Sequence, residues 1–509
     1  MQLTQGLRRN QKLYGDRIAT IFADREITWS ELADKVSRLA GAFQARGLTP
    51  GDRVAILAAN SDRYVLAYYA VAWAGCIAVP FNTRWAAAEI EFALADSQPA
   101  MLVVDTAFSA QGVAVAAAGG KVVHMDDAQG AIRSFEQLIE LAPSVADCCG
   151  RGDDLAGIFY TGGTTGVSKG VMLSHANLLT NFFLVQAIAP YPQDTIFLHT
   201  PPMFHLADAG CLFGLTMLGA THVILPGFEP GLVAKTIETH RITALVLVPT
   251  MIGMLCETLR QEPSDVSSVV RLTYGASAIS SALLERAMAA LPNAEFCQAY
   301  GQTELSPGAT VLDHADHLAG RLRSAGRPLP SVDIKIVDEA MNEVEQGEVD
   351  EVSVRGPCVM RGYWNQPQLT ADTIRDGWLK TGDAGYLDDQ GYLYLVDRVK
   401  DMIVSGGENV YSAEVENALM RHPDLLQCAV IGVPDDRWGE RVHAVVYLRP
   451  GSKVTSAELN AHCEGLIANY KRPKSYDFSK TPLPLSGVGK ILKTELRKPY
   501  WAGRSRNIG

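Results

Sequence analysis

The sequence contains no apolar run that approaches the ~20 residues needed to cross a bilayer. Its first stretch, MQLTQGLRRNQKLYGDR, also lacks the apolar centre of a secretory signal peptide. Both absences argue against export and membrane insertion. We therefore expect a cytoplasmic protein without integral membrane association.

Cysteine pairs with the spacing of a redox or metal site are also missing. The nine cysteines are scattered, Cys148 and Cys149 are adjacent, and no Cys-x-x-Cys pair occurs. Neither a disulfide framework nor a zinc site is therefore indicated, and we expect reduced thiols.

An excess of basic residues is absent as well, since 45 lysines and arginines stand against 56 acidic residues, for a net charge of -11. Nucleic acids and anionic membranes attract basic surfaces, so neither is expected as the main partner. An acidic protein that binds phosphate must instead concentrate positive charge locally.

Length and composition indicate several packed units, because the chain has 509 residues, of which 47% are hydrophobic and 20% charged. Thr28 and Glu31 have the spacing of a helix capping box, before an apolar stripe that ends at Gly47. Strand and helix signals then alternate, which predicts an α/β fold with parallel sheets covered by helices. Strands are predicted at 53–57, 77–80, 101–104, 195–198, 221–225, 245–248 and around Phe296, and a further helix at 64–74.

After Ile334 the pattern changes to short strands separated by turns. They predict a small antiparallel or barrel-like subdomain over about 330–396, inside an N-terminal domain of residues 1–399. Residues 400–509 are predicted to form a separate small α+β domain. Its helices are expected at 413–421 and 456–467, and its strands at 429–433 and 443–448.

The most informative stretch is YTGGTTGVSKGV, residues 160–171. Its glycines allow the backbone to approach a ligand closely, and successive N–H groups in such a turn form an anion site. Its threonines add hydroxyl donors, and Lys169 adds a positive charge suited to phosphate. The residues expected to contact phosphate are Thr161, Gly162, Gly163, Thr164, Thr165 and Lys169.

This loop is not a Walker P-loop, which has Gly-Lys followed by Ser or Thr. Here Ser168 precedes Lys169 and Gly170 follows it, while the later Gly489-Lys490 pair is followed by isoleucine. A P-loop kinase or ATPase is therefore disfavoured. An ordinary Gly/Thr surface loop is the alternative.

Four further motifs follow strand-like segments or turns: PPMFH at 201–205, YGASA at 274–278, YGQTE at 300–304 and TGD at 381–383. Glu304 is the kind of hard carboxylate that Mg²⁺ takes together with phosphate oxygens. A carboxylate such as Asp383 is a natural acceptor for a diol. Each motif alone is also explained by a tight turn or an ordinary strand-to-loop junction.

The loop and these motifs, in this order, resemble the adenylate-forming superfamily of acyl-CoA synthetases, luciferases and adenylation domains of nonribosomal peptide synthetases. The resemblance runs from the N-terminal helix to Lys490, and Ser168 stands where proline is common. It implies a large N-terminal domain, a mobile C-terminal domain, and ATP, Mg²⁺ and CoA as ligands.

The resemblance also implies roles for individual residues. Catalytic roles fall to Lys490, His205, Thr161, Lys169, Thr303 and Glu304, with Glu304 as the metal ligand. Nucleotide or CoA contacts beyond those of the loop fall to Gly275, Ala276, Ser277, Ala299, Tyr300, Gly301, Gln302, Thr303, Asp383, Arg398, Lys400, Gly406, Gly407, Glu408 and Lys490. The acid pocket is expected to contain His205, Ala207, Asp208, Cys211, Gly275, Gly301 and Ser306.

A two-step reaction follows from the resemblance. A carboxylate attacks the α-phosphate of ATP, and CoA then displaces AMP to give a thioester. Lys490 serves the first step, and rotation about Lys400 brings Gly407 to the channel for the pantetheine arm in the second. In SGGEN, residues 405–409, the intact Gly-Gly pair favours CoA as the acceptor.

The mostly small side chains expected around the acid suggest a roomy slot. An aryl-propenoate or a medium- or long-chain fatty acid would suit it, as in the similar 4-coumarate/feruloyl-CoA and fatty-acid CoA ligases. Three alternatives stay open: an adenylating enzyme that loads a carrier protein in trans, a luciferase-like second step, and an inactive nucleotide-binding homologue. The oligomeric state is not determined, and a homodimer is left open.

Overall fold

A computed structural model describes residues 1–127, 130, 132–161, 168–277, 279–398, 401–406, 408–435, 437–486 and 489–502. Several predicted site residues lie outside the described residues: Gly162, Gly163, Thr164, Thr165, Lys400 and Gly407.

The helices are α1 (Thr4–Leu13), α2 (Trp29–Ala45), α3 (Asp62–Trp73), α4 (Ala87–Ser97), α5 (Ser109–Ala117), α6 (Phe135–Leu141), α7 (His175–Ile188), α8 (Leu206–Leu218), α9 (Pro230–His240), α10 (Pro249–Gln261), α11 (Ser281–Ala290), α12 (His314–Leu318), α13 (Pro367–Thr373), α14 (Ser412–Leu419), α15 (Ser456–Cys463) and α16 (Lys493–Trp501).

The strands are β1 (Ile18–Phe22), β2 (Arg25–Thr28), β3 (Arg53–Leu57), β4 (Ile77–Pro80), β5 (Met101–Val104), β6 (Val122–His124), β7 (Leu155–Thr161), β8 (Lys169–Ser174), β9 (Ile196–His199), β10 (Thr221–Ile224), β11 (Ala244–Leu247), β12 (Arg271–Gly275), β13 (Glu295–Gly301), β14 (Gly308–Leu312), β15 (Arg327–Pro328), β16 (Asp333–Val337), β17 (Asp350–Arg355), β18 (Gly362–Tyr363), β19 (Ile374–Arg375), β20 (Trp378–Leu387), β21 (Leu393–Arg398), β22 (Ile403–Ser405), β23 (Glu408–Val410), β24 (Leu425–Asp435), β25 (Gly439–Leu448) and β26 (Ser475–Ser479).

Two large sheets form the body of the molecule. One has the strand order β18-β8-β7-β4-β3-β5-β6, and the other β15-β14-β13-β12-β11-β9-β10-β1-β2. Their central strands are parallel, as in the pairs β3–β4 and β12–β13, whereas β7–β8 and β13–β14 are antiparallel. The predicted α/β class with helix-covered parallel sheets is confirmed.

Helix α2 shows how local signals produce this body. The Thr28 side chain accepts from the Glu31 N–H and the Glu31 carboxylate accepts from the Thr28 N–H, so two otherwise unpaired donors are satisfied. Leu32 and Phe43 on its apolar face are fully buried. The predicted helix is therefore present, with its predicted cap.

Two smaller sheets complete the fold. The first is antiparallel, in the order β16-β17-β20-β19 with β21 beside β20, as predicted for this region. The second has the order β23-β22-β25-β24, with β26 parallel to β25. Helices α14 and α15 pack on the second sheet around their own apolar cluster. Helix α15 ends at Cys463, earlier than predicted.

No helix in the part of the chain that the structure describes is long and apolar enough to cross a membrane.

Candidate active site

A cleft of about 2560 Å³ opens where β7, β12 and β13 end. The carboxyl ends of the parallel strands β12 and β13 meet at one edge of a sheet, which brings YGASA and YGQTE together, and β7 of the other large sheet ends at the same cleft. Among the predicted site residues, the cleft is lined by Thr161, His205, Ala207, Cys211, Gly275, Ala276, Ser277, Ala299, Tyr300, Gly301, Gln302, Thr303, Glu304, Ser306, Asp383, Arg398 and Lys490.

Glycines at two strand ends lie where a neighbouring backbone passes very close. A Cβ on Gly275 would lie 2.2 Å from the backbone oxygen of Ala299, its partner on β13. A Cβ on Gly301 would lie 2.0 Å from the oxygen of Pro307. Both strands run through these glycines, whereas the sequence predicted that the motifs begin after the strands. A side chain at either position would distort the backbone.

Asp383 is held by one hydrogen bond and one ion pair. The Tyr300 hydroxyl donates to Oδ2 over 2.8 Å, and Arg398 on the adjacent strand forms an ion pair in which Nε lies 2.7 Å from Oδ1. Burial and the Asp383 charge raise the pKa of Tyr300, so the phenol stays a donor. The Asp383 charge also raises the pKa of Arg398. Each carboxylate oxygen keeps a free lone pair, which suits an acceptor for a ligand diol.

Glu304 lies in a single 3-10 turn, Thr303–Leu305, and is 9% exposed. The Tyr363 hydroxyl donates to Glu304 Oε1 over 2.9 Å. Among the described residues, no group of three or more His, Cys, Asp and Glu side chains could hold a metal ion. A Mg²⁺ ion at Glu304 would therefore need phosphate oxygens and water as its other ligands, and this donor set fits Mg²⁺.

His205 and Lys490 occupy the same cleft, although 285 positions separate them in the sequence. Burial, and then the positive charge of Lys490, lowers the pKa of His205 to about 4. His205 is also the N-cap of α8, and its Nδ1 accepts from the Ala207 N–H over 3.3 Å. The imidazole is therefore neutral near pH 7.

The loop before Lys490 is tied to the body of the molecule. Thr250 Oγ1 donates to the Gly489 oxygen over 3.1 Å, and Arg84 Nη1 donates to the Ser486 oxygen over 2.8 Å. These bonds hold the segment that carries Lys490 near the end of β11, in the large sheet that also contains β12 and β13.

One part of the cleft lining is an apolar cluster that includes Phe182 of α7, Cys211 of α8 and Val246 of β11, and we call this part the slot. The hydroxyls of Tyr191 and Thr273 form a hydrogen bond of 3.0 Å there, and both residues are buried. Two bonded hydroxyls retain one proton and several lone pairs for a ligand. The slot is therefore largely apolar with one polar spot.

Asp208 does not line the cleft, contrary to the prediction. Its side chain is fully buried, and Oδ2 lies 2.8 Å from His199 Nδ1. His199 Nε2 in turn lies 2.9 Å from His222 Nδ1. Asp208 follows Ala207 by one position and therefore lies about 100° around α8 from it, where His199 of strand β9 supplies a polar partner.

Three other predicted residues lie apart from the cleft lining. Lys169 contacts the Tyr363 ring instead, with its ammonium 5.3 Å from the ring centroid. Gly406 lies under Trp438, where a Cβ would meet the indole at 2.6 Å, and Glu408 is exposed on β23. Of the predicted nucleotide residues that the structure describes, most therefore line the cleft, whereas Lys169, Gly406 and Glu408 do not.

The sequence interpretation missed Tyr191, Thr273 and Tyr363. Tyr363 belongs to RGYWNQP, which reads as an ordinary turn between strands. The hydroxyl pair joins residues 82 positions apart, so no local pattern could reveal it.

Comparison with known proteins gives a consistent result. The family model for the AMP-binding enzyme matches residues 7–364, and that for the AMP-binding enzyme C-terminal domain matches residues 414–490. The chain is 39% identical to a feruloyl-CoA synthase of Amycolatopsis sp, over 93% of this chain and 94% of the relative. It is 35% identical to the fatty acid–[acyl-carrier-protein] ligase ScoC of Streptomyces coeruleorubidus, over 96% and 95%. The crystal structure of ATP-bound MatB from Rhodopseudomonas palustris superposes with a TM-score of 0.89 at 30% identity, over 99% of both chains.

Proposed function

The chain belongs to the AMP-binding enzyme family, as an acyl-CoA synthetase of the adenylate-forming superfamily, and from this premise we propose that it joins a 4-hydroxylated aryl-propenoic acid to CoA. It is an acid–thiol ligase that uses ATP and CoA. The observation that carries the proposal is the shared cleft of Glu304, Asp383, His205 and Lys490.

In the proposed first step, the acid's carboxylate attacks the α-phosphorus of ATP, and pyrophosphate leaves. The charge of Lys490 offsets the negative charge that develops on the phosphate. His205 is uncharged near pH 7, so it does not offset this negative charge. Asp383 would accept from the ribose hydroxyls, and Glu304 would hold Mg²⁺, which would offset part of the phosphate charge.

In the proposed second step, the CoA sulfur attacks the acyl carbon and AMP leaves. The C-terminal domain, residues 400–509, would rotate about Lys400, withdraw Lys490 and bring the Gly406-Gly407 pair to the thiol channel. The position of Gly406 away from the cleft, while Lys490 is inside it, supports two alternating arrangements.

The choice of acid rests on the Tyr191–Thr273 pair. An apolar slot that holds two hydroxyls suits a planar ring with a polar substituent at its far end. The similarity to a feruloyl-CoA synthase supports the same class. A fatty acid is the second candidate, because the slot walls of Phe182 and Val246 are apolar and ScoC is named for a fatty acid.

A panel of acids tests the proposal through CoA-dependent AMP release and mass spectrometry of the thioester. We expect 4-hydroxycinnamates to exceed cinnamate in kcat/KM by about tenfold, the worth of roughly one neutral hydrogen bond. Tyr191→Phe should reduce that preference and leave cinnamate unchanged. Higher kcat/KM for octanoate than for every aryl acid would favour the fatty-acid candidate.

ATP–pyrophosphate exchange with the same acids distinguishes a CoA ligase from a carrier-protein loader and from an inactive homologue. Acid-dependent exchange between ATP and pyrophosphate without CoA-thioester formation would indicate a carrier-protein acceptor, as in the name of ScoC. No exchange with any acid would indicate an inactive homologue.

A further inference from the structure

We propose that Tyr363 is a positioning residue that holds the Glu304 carboxylate and the Lys169 ammonium apart and directs both toward the metal and phosphates of ATP. The inference rests on the proposed roles of Glu304 and Lys169. It adds to them a residue that touches both charged groups with one side chain.

The backbone of Tyr363 is fixed on several sides. Strand β18 pairs antiparallel with β8, so that Tyr363 lies opposite Val171. The Tyr363 N–H donates to Thr370 Oγ1 over 2.8 Å. The next residue, Trp364, donates its N–H to the Gly170 oxygen over 2.7 Å. The Tyr363 side chain therefore projects from a backbone position that these hydrogen bonds define.

The register of these strands brings Lys169 to the ring. Lys169 and Val171 are two positions apart on β8, so their side chains share one face of the sheet. Tyr363, opposite Val171, is thus a diagonal neighbour of Lys169 on that face. The ammonium lies 5.3 Å from the ring centroid, within the range of a cation–π contact.

The hydroxyl end of the same ring reaches Glu304. It donates to Oε1 over 2.9 Å, and the Met360 N–H donates to the Glu304 main-chain oxygen over 2.9 Å. The segment from Met360 to Tyr363 therefore holds Glu304 by its backbone and by its side chain.

This arrangement has a physical consequence. A carboxylate and an ammonium in one partly buried site attract each other strongly, and a direct pair would occupy the groups that a ligand needs. Tyr363 gives the carboxylate a donor and the ammonium a ring face. Within the described part of the chain, these contacts leave Oε2 of Glu304 available to a metal and the Lys169 donors available to phosphate.

The test is equilibrium binding of ATP by the full-length protein, titrated with Mg²⁺ and followed by calorimetry. Tyr363→Phe should raise the Mg²⁺ concentration for half-maximal ATP binding by about tenfold, because one hydrogen bond to a charged group is lost. Tyr363→Leu also removes the ring and should weaken ATP binding in the absence of Mg²⁺ as well. Tyr392→Phe is the matched control, since Tyr392 donates to the Asp316 carboxylate outside the cleft.

A double-mutant cycle with Glu304→Gln separates positioning from general structure. If Tyr363 acts through Glu304, the double variant should be no worse than Glu304→Gln alone. Wild-type Mg²⁺ dependence in Tyr363→Phe, or losses that multiply in the double variant, would overturn the inference and leave the ligase proposal intact. Unchanged Mg²⁺ dependence in Glu304→Gln would instead refute the metal role of Glu304, and this inference with it.

Discussion

At the scale of single residues, the carboxylates of Asp383 and Glu304 share one arrangement. Tyr300 donates to Asp383, and Tyr363 donates to Glu304. A buried carboxylate without a donor is costly, and a phenol supplies one without adding a charge. Both carboxylates are therefore oriented before a ligand arrives.

Lys490→Ala should lower the rate of acyl-adenylate formation by ~10²-fold or more, if one preorganised charge is worth as much as an oxyanion-hole donor. Thioester formation from a supplied acyl-adenylate should be nearly unchanged, because Lys490 is withdrawn in the proposed second step. ATP–pyrophosphate exchange measures the first step, and thioester yield measures the second. Equal losses in both steps would contradict two alternating arrangements.

At the scale of elements, the acid slot depends on how closely α7 and α8 approach each other. Gly214 on α8 lies directly against the Phe182 ring on α7, where a Cβ would be 1.9 Å from Cδ2. Gly210, one turn earlier, has room, since its Cβ would meet only Pro307 at 3.6 Å. One glycine therefore sets the helix spacing, and the other lines the slot.

Gly214→Ala should destabilise the protein by about 1–3 kcal/mol, because overpacking forces Phe182 or the helix to move. The displaced Phe182 ring should also raise KM for the acid. Gly210→Ala is the matched control and should leave the free energy of unfolding almost unchanged. Thermal unfolding and steady-state kinetics measure both effects, and equal stability of the two variants would contradict the packing argument.

The N-terminus of α7 makes stability depend on pH. His175 is buried there, and its Nδ1 accepts from the Leu3 N–H over 3.3 Å. Desolvation lowers the pKa of His175 from 6.5 to about 4. Between these values the unfolded chain binds a proton that the folded chain does not, so stability falls as pH falls through this window and levels off below it.

For His175 this loss amounts to about 3 kcal/mol at most. His175→Asn keeps an acceptor for the Leu3 N–H but cannot be protonated in this range. Its Tm should therefore fall less than that of the wild type between about pH 7 and about pH 5. Part of the loss should persist, since burial lowers the pKa of His205 to about 4 as well. An identical loss of Tm in both proteins would contradict the assignment.

At the scale of the whole molecule, one short loop couples the last segment to the body. Arg84 and Thr250 bind it through the oxygens of Ser486 and Gly489. These are single hydrogen bonds to backbone atoms, each worth about 0.5–1.5 kcal/mol, or somewhat more for a charged donor. Such an attachment can hold Lys490 in the cleft and still be released.

Arg84→Ala should slow acyl-adenylate formation by about tenfold, because the loop that carries Lys490 is held by one bond fewer. Thioester formation from a supplied adenylate should not fall. Arg375→Ala, at an exposed arginine of β19, serves as the control. Rapid-quench measurement of the two half-reactions distinguishes them, and a loss confined to the second would contradict this role.

Much of the fold could be predicted from local pattern. The capping box at Thr28, the strand and helix alternation and the later antiparallel strands are all found as expected. Each depends on neighbours within a few positions, where backbone sterics and side-chain periodicity act directly. The family could be identified for a related reason, because its motifs are short and contiguous.

The contacts that complete the site could not be predicted in this way. Whether Asp208 faces the slot or the core depends on the exact rotation of α8 against β9, and Tyr363 reaches Glu304 only because β18 joins the edge of a large sheet. Sequence periodicity fixes which face of an element is apolar. It does not determine the relative orientation of two packed elements, because that depends on the close packing of side chains that are distant in the chain.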